Sequence, residues 1–133
     1  MKSEPEGGTN SSDERMVLVA EDDDTSFALF QAYLKRENFK LIRAVNGEET
    51  VEKFRKTPGI VLVLMDLKMP VMDGYEATRR IKQRNKDVPV LAQTAYALSG
   101  DTQKALDAGC DDYIAKPIRK DELIKKVKAL LGE

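Results

Sequence analysis

Side chains able to do chemistry stand at the ends of four apolar runs in this chain. Glu21-Asp22-Asp23-Asp24 follows Met16–Ala20, Asp66 follows Ile60–Met65, Thr94 follows Val88–Gln93, and Lys116-Pro117 follows Asp111–Ala115. An isolated acidic run is ordinarily a solvated, helix-capping loop, and a lone Thr or Lys at a strand end is ordinarily structural. Asp66 is less easily dismissed, because a carboxylate closing a buried strand is costly unless paired or liganded. Taken together, several carboxylates against one ammonium leave an excess of negative charge that calls for a divalent cation. Hard oxygen ligands with open water positions suit Mg²⁺, with Mn²⁺ as a substitute. A carboxylate neutralised in this way, beside a hydroxyl and a fixed lysine, forms an acceptor site for a phosphoryl group. The equatorial oxygens of that group need positive or donor contacts, which the cation, Lys116 and Thr94 can supply.

Composition narrows the chemistry further. The 133 residues include no histidine, which excludes Ser-His-Asp and Cys-His catalysis, His-containing zinc sites and any self-contained phosphohistidine chemistry. The single cysteine, Cys110, rules out an intramolecular disulfide and fits a reducing compartment. With 22 basic and 23 acidic residues the net charge is −1, so electrostatics give no reason to expect nucleic acid or an anionic membrane as partner. The run Ile60–Met65 is far too short to span a bilayer, and no basic-then-apolar signal segment opens the chain. These features lead to the expectation of a cytoplasmic domain, monomeric or weakly dimeric.

The elements that must position these groups are legible in the apolar pattern. Residues 1–15 form an expected flexible tail or linker, since residues 1–14 contain no apolar residue beyond Met1. Residues 16–132 form one expected domain. Met16–Ala20 and Ile60–Met65 are apolar throughout, as in central parallel strands covered on both faces; Phe39–Ala44, Val88–Gln93 and Asp111–Ala115 complete a set of five. Helical spacing marks Thr25–Asn38, with Phe27, Phe30 and Leu34 on one face, and Asp121–Leu131, with Leu123, Val127 and Leu130 together. Gly47–Lys56, Gly74–Arg84 and Ser99–Ala108 are the other predicted helices, with breaks at Pro58-Gly59 and Ala108-Gly109. Strands separated by helices imply right-handed crossovers and an α/β fold, a doubly wound five-stranded parallel sheet with five helices. Such folds bind ligands beyond the carboxyl ends of the strands, where the acids, Thr94 and Lys116 stand.

Four segments then carry a family resemblance. The stretch Met65-Asp66-Leu67-Lys68-Met69-Pro70-Val71-Met72-Asp73-Gly74-Tyr75-Glu76-Ala77-Thr78 resembles the phosphoacceptor segment of response-regulator receiver domains. Val17-Leu18-Val19-Ala20-Glu21-Asp22 resembles their first strand and acidic pair, and Gln93-Thr94-Ala95 their switch hydroxyl segment. Ala108-Gly109-Cys110-Asp111-Asp112-Tyr113-Ile114-Ala115-Lys116-Pro117 resembles their aromatic switch and lysine. Any one of these motifs is weak; all four, in order across residues 16–132, are specific.

The resemblance implies a CheY-like receiver fold and a set of roles. Asp66 would be the phosphoacceptor nucleophile, Asp22 a direct Mg²⁺ ligand, Glu21 the holder of the metal's waters, and the Lys68 carbonyl a further ligand. Lys116 would pair with a phosphoryl oxygen and with Asp66, and Pro117 resembles a cis-proline. Thr94 and Tyr113 would carry the switch, the hydroxyl moving to the phosphoryl group and the ring turning inward. Ala95 is small, as access to the acceptor requires. The donor would be a phosphohistidine on a histidine kinase or a histidine phosphotransfer domain. The domain would catalyse its own phosphorylation and dephosphorylation without being a kinase. Lys68 and Tyr96, two residues after Asp66 and Thr94, stand where the family tunes hydrolysis, and their bulk leads to the expectation of slow self-dephosphorylation.

The wording of the motifs is similar to receivers of hybrid sensor histidine kinases, in which case the N-terminal residues would end an interdomain linker. The alternative is a stand-alone single-domain regulator. No output domain follows Glu133, so the expected output is protein–protein contact or lies outside the chain. A Mg²⁺-dependent phosphohydrolase would want a second acid where Lys68 stands. A flavodoxin-like flavin module would want a hydroxyl- and Gly-rich first loop rather than four acids.

Overall fold

The structure is a computed structural model that describes residues 14–95 and 100–133. Five strands alternate with five helices: β1 (Arg15–Ala20), α1 (Asp24–Leu34), β2 (Phe39–Ala44), α2 (Gly47–Lys56), β3 (Ile60–Asp66), α3 (Gly74–Arg84), β4 (Val90–Thr94), α4 (Asp101–Ala108), β5 (Asp112–Ala115) and α5 (Lys120–Leu130). All strand pairs are parallel, in the order β2-β1-β3-β4-β5. The chain therefore turns outward from β1 to β2 and then jumps back over β1 to β3. That reversal opens a crevice between the ends of β1 and β3.

The uninterrupted apolar character of β1 and β3 follows from their central place, since each must bury both faces. Leu18, Ala20, Val63 and Met65 pack with Ala77, Ile81 and Ala105 of α3 and α4, and with Val51 and Phe54 of α2. Val17, Val19, Leu62 and Leu64 point the other way, onto Phe30 and Leu34 of α1 and Leu123 and Val127 of α5. Alternate residues thus feed two separate cores on either side of one sheet. Cys110 sits in the first core beside the Thr78 hydroxyl, 3.6 Å away, and burial pushes its thiol up to about 11.

The boundaries differ from the sequence reading where local geometry overrides the apolar pattern. The first helix stops at Leu34 rather than Asn38, because residues 35–38 form turns and Asn38 takes a left-handed φ of 60°. The fourth strand begins at Val90, not Val88: Pro89 has no N–H for the ladder, and its carbonyl instead accepts from Val63 at 3.0 Å. Val88 is nonetheless buried in the core. Arg15, assigned by sequence to the tail, opens β1 opposite Phe39 and carries its guanidinium over that ring at 4.6 Å. Residues 1–13 of the expected tail lie outside the described residues, as do Tyr96 and the predicted first turn of α4 at Ser99. Among the described residues no helix is long and apolar enough to cross a membrane.

Candidate phosphoacceptor cleft

At the carboxyl edge of the sheet the four acids after β1 divide their work. Asp23 caps α1, its carboxylate accepting from the Ser26 N–H at 2.8 Å, and that bond holds its pKa below the usual carboxylate range. Asp24 is exposed and pairs with Arg43 at 2.8 Å. Glu21 and Asp22 turn to the crevice, where each places a carboxylate oxygen within 4.8 Å of one from Asp66. The expected helix-capping and solvated roles fall to Asp23 and Asp24, while Glu21 and the exposed Asp22 lie beside Asp66.

Glu21 is only 1 % exposed, its Oε2 accepting from the Asp23 N–H at 3.2 Å and its Oε1 having no hydrogen-bond partner. Burial first, and the neighbouring Asp66 carboxylate second, lift its pKa to about 7. Asp66 is 4 % exposed; its Oδ1 accepts from the Lys68 N–H at 3.0 Å, and its Oδ2 lies 3.5 Å from the Lys116 ammonium. Three carboxylates thus face one ammonium, with a buried carboxylate oxygen unsatisfied. The donor set is all oxygen and the imbalance is negative, so these residues fit a hard divalent cation.

The loop after β3 brings Lys68 to the cleft. It folds back until Gly74 meets the backbone of Asp66 and Leu67 so closely that a Cβ there would overlap the Asp66 carbonyl. Gly74 also donates to the Leu67 carbonyl at 3.1 Å. Thr94 ends β4, buried, and its carbonyl accepts from the Lys116 N–H at 2.8 Å, which ties hydroxyl and lysine to adjacent strand ends. The Lys116-Pro117 bond is cis. Asp22, Asp66, Lys68, Thr94, Ala95 and Lys116 all line one open cleft of about 550 Å³.

Tyr113 stands apart from this group. It is half-buried on β5, packed against the α3–α4 core, with the Lys126 ammonium 4.9 Å from its ring centroid. Two residues escaped the sequence reading. Tyr75 lines the cleft under Lys104, whose ammonium is 4.7 Å from its ring centroid, and Gln93 is buried beside Asp66. The signal for Gln93 was available: it is a carboxamide in a strand that otherwise reads Val90-Leu91-Ala92.

A parallel five-stranded sheet with an acidic triad at its switch point and a lysine opposite is the architecture of receiver domains, and residues 17–128 match the response regulator receiver domain model. The chain belongs to that family, as the receiver domain of a two-component response regulator. It is 33 % identical over 122 residues to the polar-differentiation response regulator DivK of Brucella anthropi, covering 90 % of this chain and 98 % of that one. It is 36 % identical over 122 residues to the transcriptional regulatory protein ResD of Bacillus subtilis, covering 92 % of this chain and spanning 50 % of that longer protein. The receiver domain of the sensor histidine kinase PA1611 from Pseudomonas aeruginosa, solved with magnesium in its active-site cleft, superposes with a TM-score of 0.83 at 32 % identity, covering 90 % and 99 % of the two chains.

Proposed function

We propose that Asp66 accepts a phosphoryl group from a phosphohistidine on another protein or domain, and that this switches the surface around Tyr113. The observation that carries the reading is the buried Asp66 carboxylate, held between the Glu21–Asp22 pair and the Lys116 ammonium at 3.5 Å. An Asp66 oxygen attacks phosphorus, the P–N bond breaks, and the imidazole leaves with its electron pair and takes up a proton. The chain has no histidine of its own, so a histidine kinase or phosphotransfer domain must dock for each transfer from a protein donor. Glu21, Asp22, Asp66 and the Lys68 carbonyl would hold Mg²⁺, which when bound offsets the charge of the phosphoryl oxygens. Lys116 steadies one of those oxygens and Thr94 donates to another, which frees space for Tyr113 to turn. Lys68 projects at the mouth of the cleft, where it slows the approach of water to the phosphorylated Asp66.

Two settings for the domain have support. Likeness to the PA1611 receiver favours a place within a hybrid sensor kinase. The match over 98 % of DivK favours a stand-alone regulator. A phosphohydrolase is disfavoured because the residue two after Asp66 is Lys68, which offers a backbone N–H there instead of a second acid. The test is incubation with Mg²⁺ and acetyl phosphate, comparing the wild type with Asp66→Asn. Acid-stable, base-labile phosphate is expected in the wild type alone, and equal incorporation in the variant would sink the reading.

A further inference from the structure

Gln93 is out of character with its surroundings. It pairs with Asp66 in the parallel register of β3 and β4, and it continues a row of apolar side chains, Leu62, Leu64, Leu91 and Ile114, on the α1–α5 face. It is 1 % exposed, and neither its Nε2 nor its Oε1 has a hydrogen-bond partner. An orphaned buried amide loses its hydration without a compensating hydrogen bond, a penalty that an apolar residue of similar volume would avoid. A residue that breaks its local pattern at such a cost points to function rather than folding.

Glu21 Oε1 is another such orphan, and a bound cation would answer it. Gln93 sits on the opposite side of Asp66, on β4 rather than β1. The charged group on its side is Lys116. Gln93 and Lys116 together line the phosphoacceptor cleft and also a second cavity of about 330 Å³, walled by Phe30, Tyr33 and Ile118. The ammonium has three donors, yet its ion pair with Asp66, at 3.5 Å, is longer than a good charge-assisted hydrogen bond. An under-used donor and an unused acceptor thus belong to residues that line the same two cavities.

We propose that Gln93 is a positioning residue for Lys116, its Oε1 accepting from the ammonium as the phosphoryl group bonds to Asp66. As the mixed anhydride forms, the Asp66 carboxylate loses the charge that held the lysine, and a flexible four-carbon stem then needs a second anchor to stay aimed at the phosphoryl oxygen. Gln93 makes and breaks no bond of the transfer itself. The proposal rests on the phosphoacceptor reading of Asp66.

The test is a double-mutant cycle on initial rates of phosphorylation by acetyl phosphate with Mg²⁺, with urea unfolding of each variant alongside. Gln93→Leu, and Gln93→Met as a more adaptable replacement, should be at least as stable as the wild type. Each should phosphorylate roughly tenfold more slowly, the scale of one charge-assisted hydrogen bond, with Mg²⁺ affinity unchanged. In a Lys116→Ala background the same replacements should cost nothing further. Wild-type rates in both variants, or an equal loss without Lys116, would overturn the role of Gln93. No incorporation by the wild type would instead overturn the reading of Asp66.

Discussion

The carboxylates of Glu21 and Asp66 meet in one buried corner, and burial together with the Asp66 charge lifts the Glu21 pKa from 4.5 to about 7. Between those two values the folded protein keeps a proton that the unfolded chain has lost. Without metal, stability is therefore greatest below the unfolded value and falls as pH rises through the window, by on the order of 3 kcal/mol. Urea midpoints measured on either side of the window should show this fall. Glu21→Gln should flatten it, and Mg²⁺ should restore stability at the high-pH end. A slope unchanged in Glu21→Gln would place its origin elsewhere.

Lys116 is the one cation within ion-pair distance of Asp66 among the described residues, and it competes with any metal for the same negative charge. Lys116→Ala should bind Mg²⁺ about threefold to tenfold more tightly, by relief of repulsion across the cleft, while taking up phosphate more slowly. Titration calorimetry and acetyl phosphate kinetics separate the two effects. Weaker Mg²⁺ binding would contradict the electrostatic account.

Gly74 is required by the approach of its backbone to the Asp66 carbonyl. Gly74→Ala should destabilise the domain by about 2 kcal/mol, as overpacking against rigid backbone does, and should displace the loop that carries Lys68. Denaturant unfolding and Mg²⁺ affinity should both register the change.

Val71 is a β-branched residue at a left-handed φ of 71°, with its side chain in solvent at 77 % exposure. It has little packing to lose, and its backbone is held where only Gly and Asn are comfortable. Val71→Asn should therefore raise stability by about 1 kcal/mol, whereas Val71→Ala should not. A gain in both would assign the effect to the side chain rather than to φ.

Much of this molecule was legible in advance, because its signals are local. Apolar runs mark strands, and in β1 and β3 their lack of alternation already says that both faces are covered. Asp66, Thr94 and Lys116 could be placed at strand ends for the same reason, since in a parallel α/β fold all carboxyl ends lie along one edge. The misreadings are equally physical. Val88 is buried without being in the strand, and Asn38 is a turn residue beyond the end of a helix, because burial and helicity are separate properties that the pattern alone does not distinguish.

Of the four acids after β1, composition could not say which serve the cleft. Capping by Asp23 and pairing of Asp24 with Arg43 depend on where α1 starts and which residue β2 places alongside. The isolation of Gln93 depends likewise on the register that sets it beside Asp66. The sequence by itself determined the order of elements and the chemistry available at their ends, because both reside in neighbouring residues. Only the tertiary structure decided which carboxylates converge, which oxygen is left unsatisfied and which amide is stranded, because those follow from contacts between strands far apart in the chain.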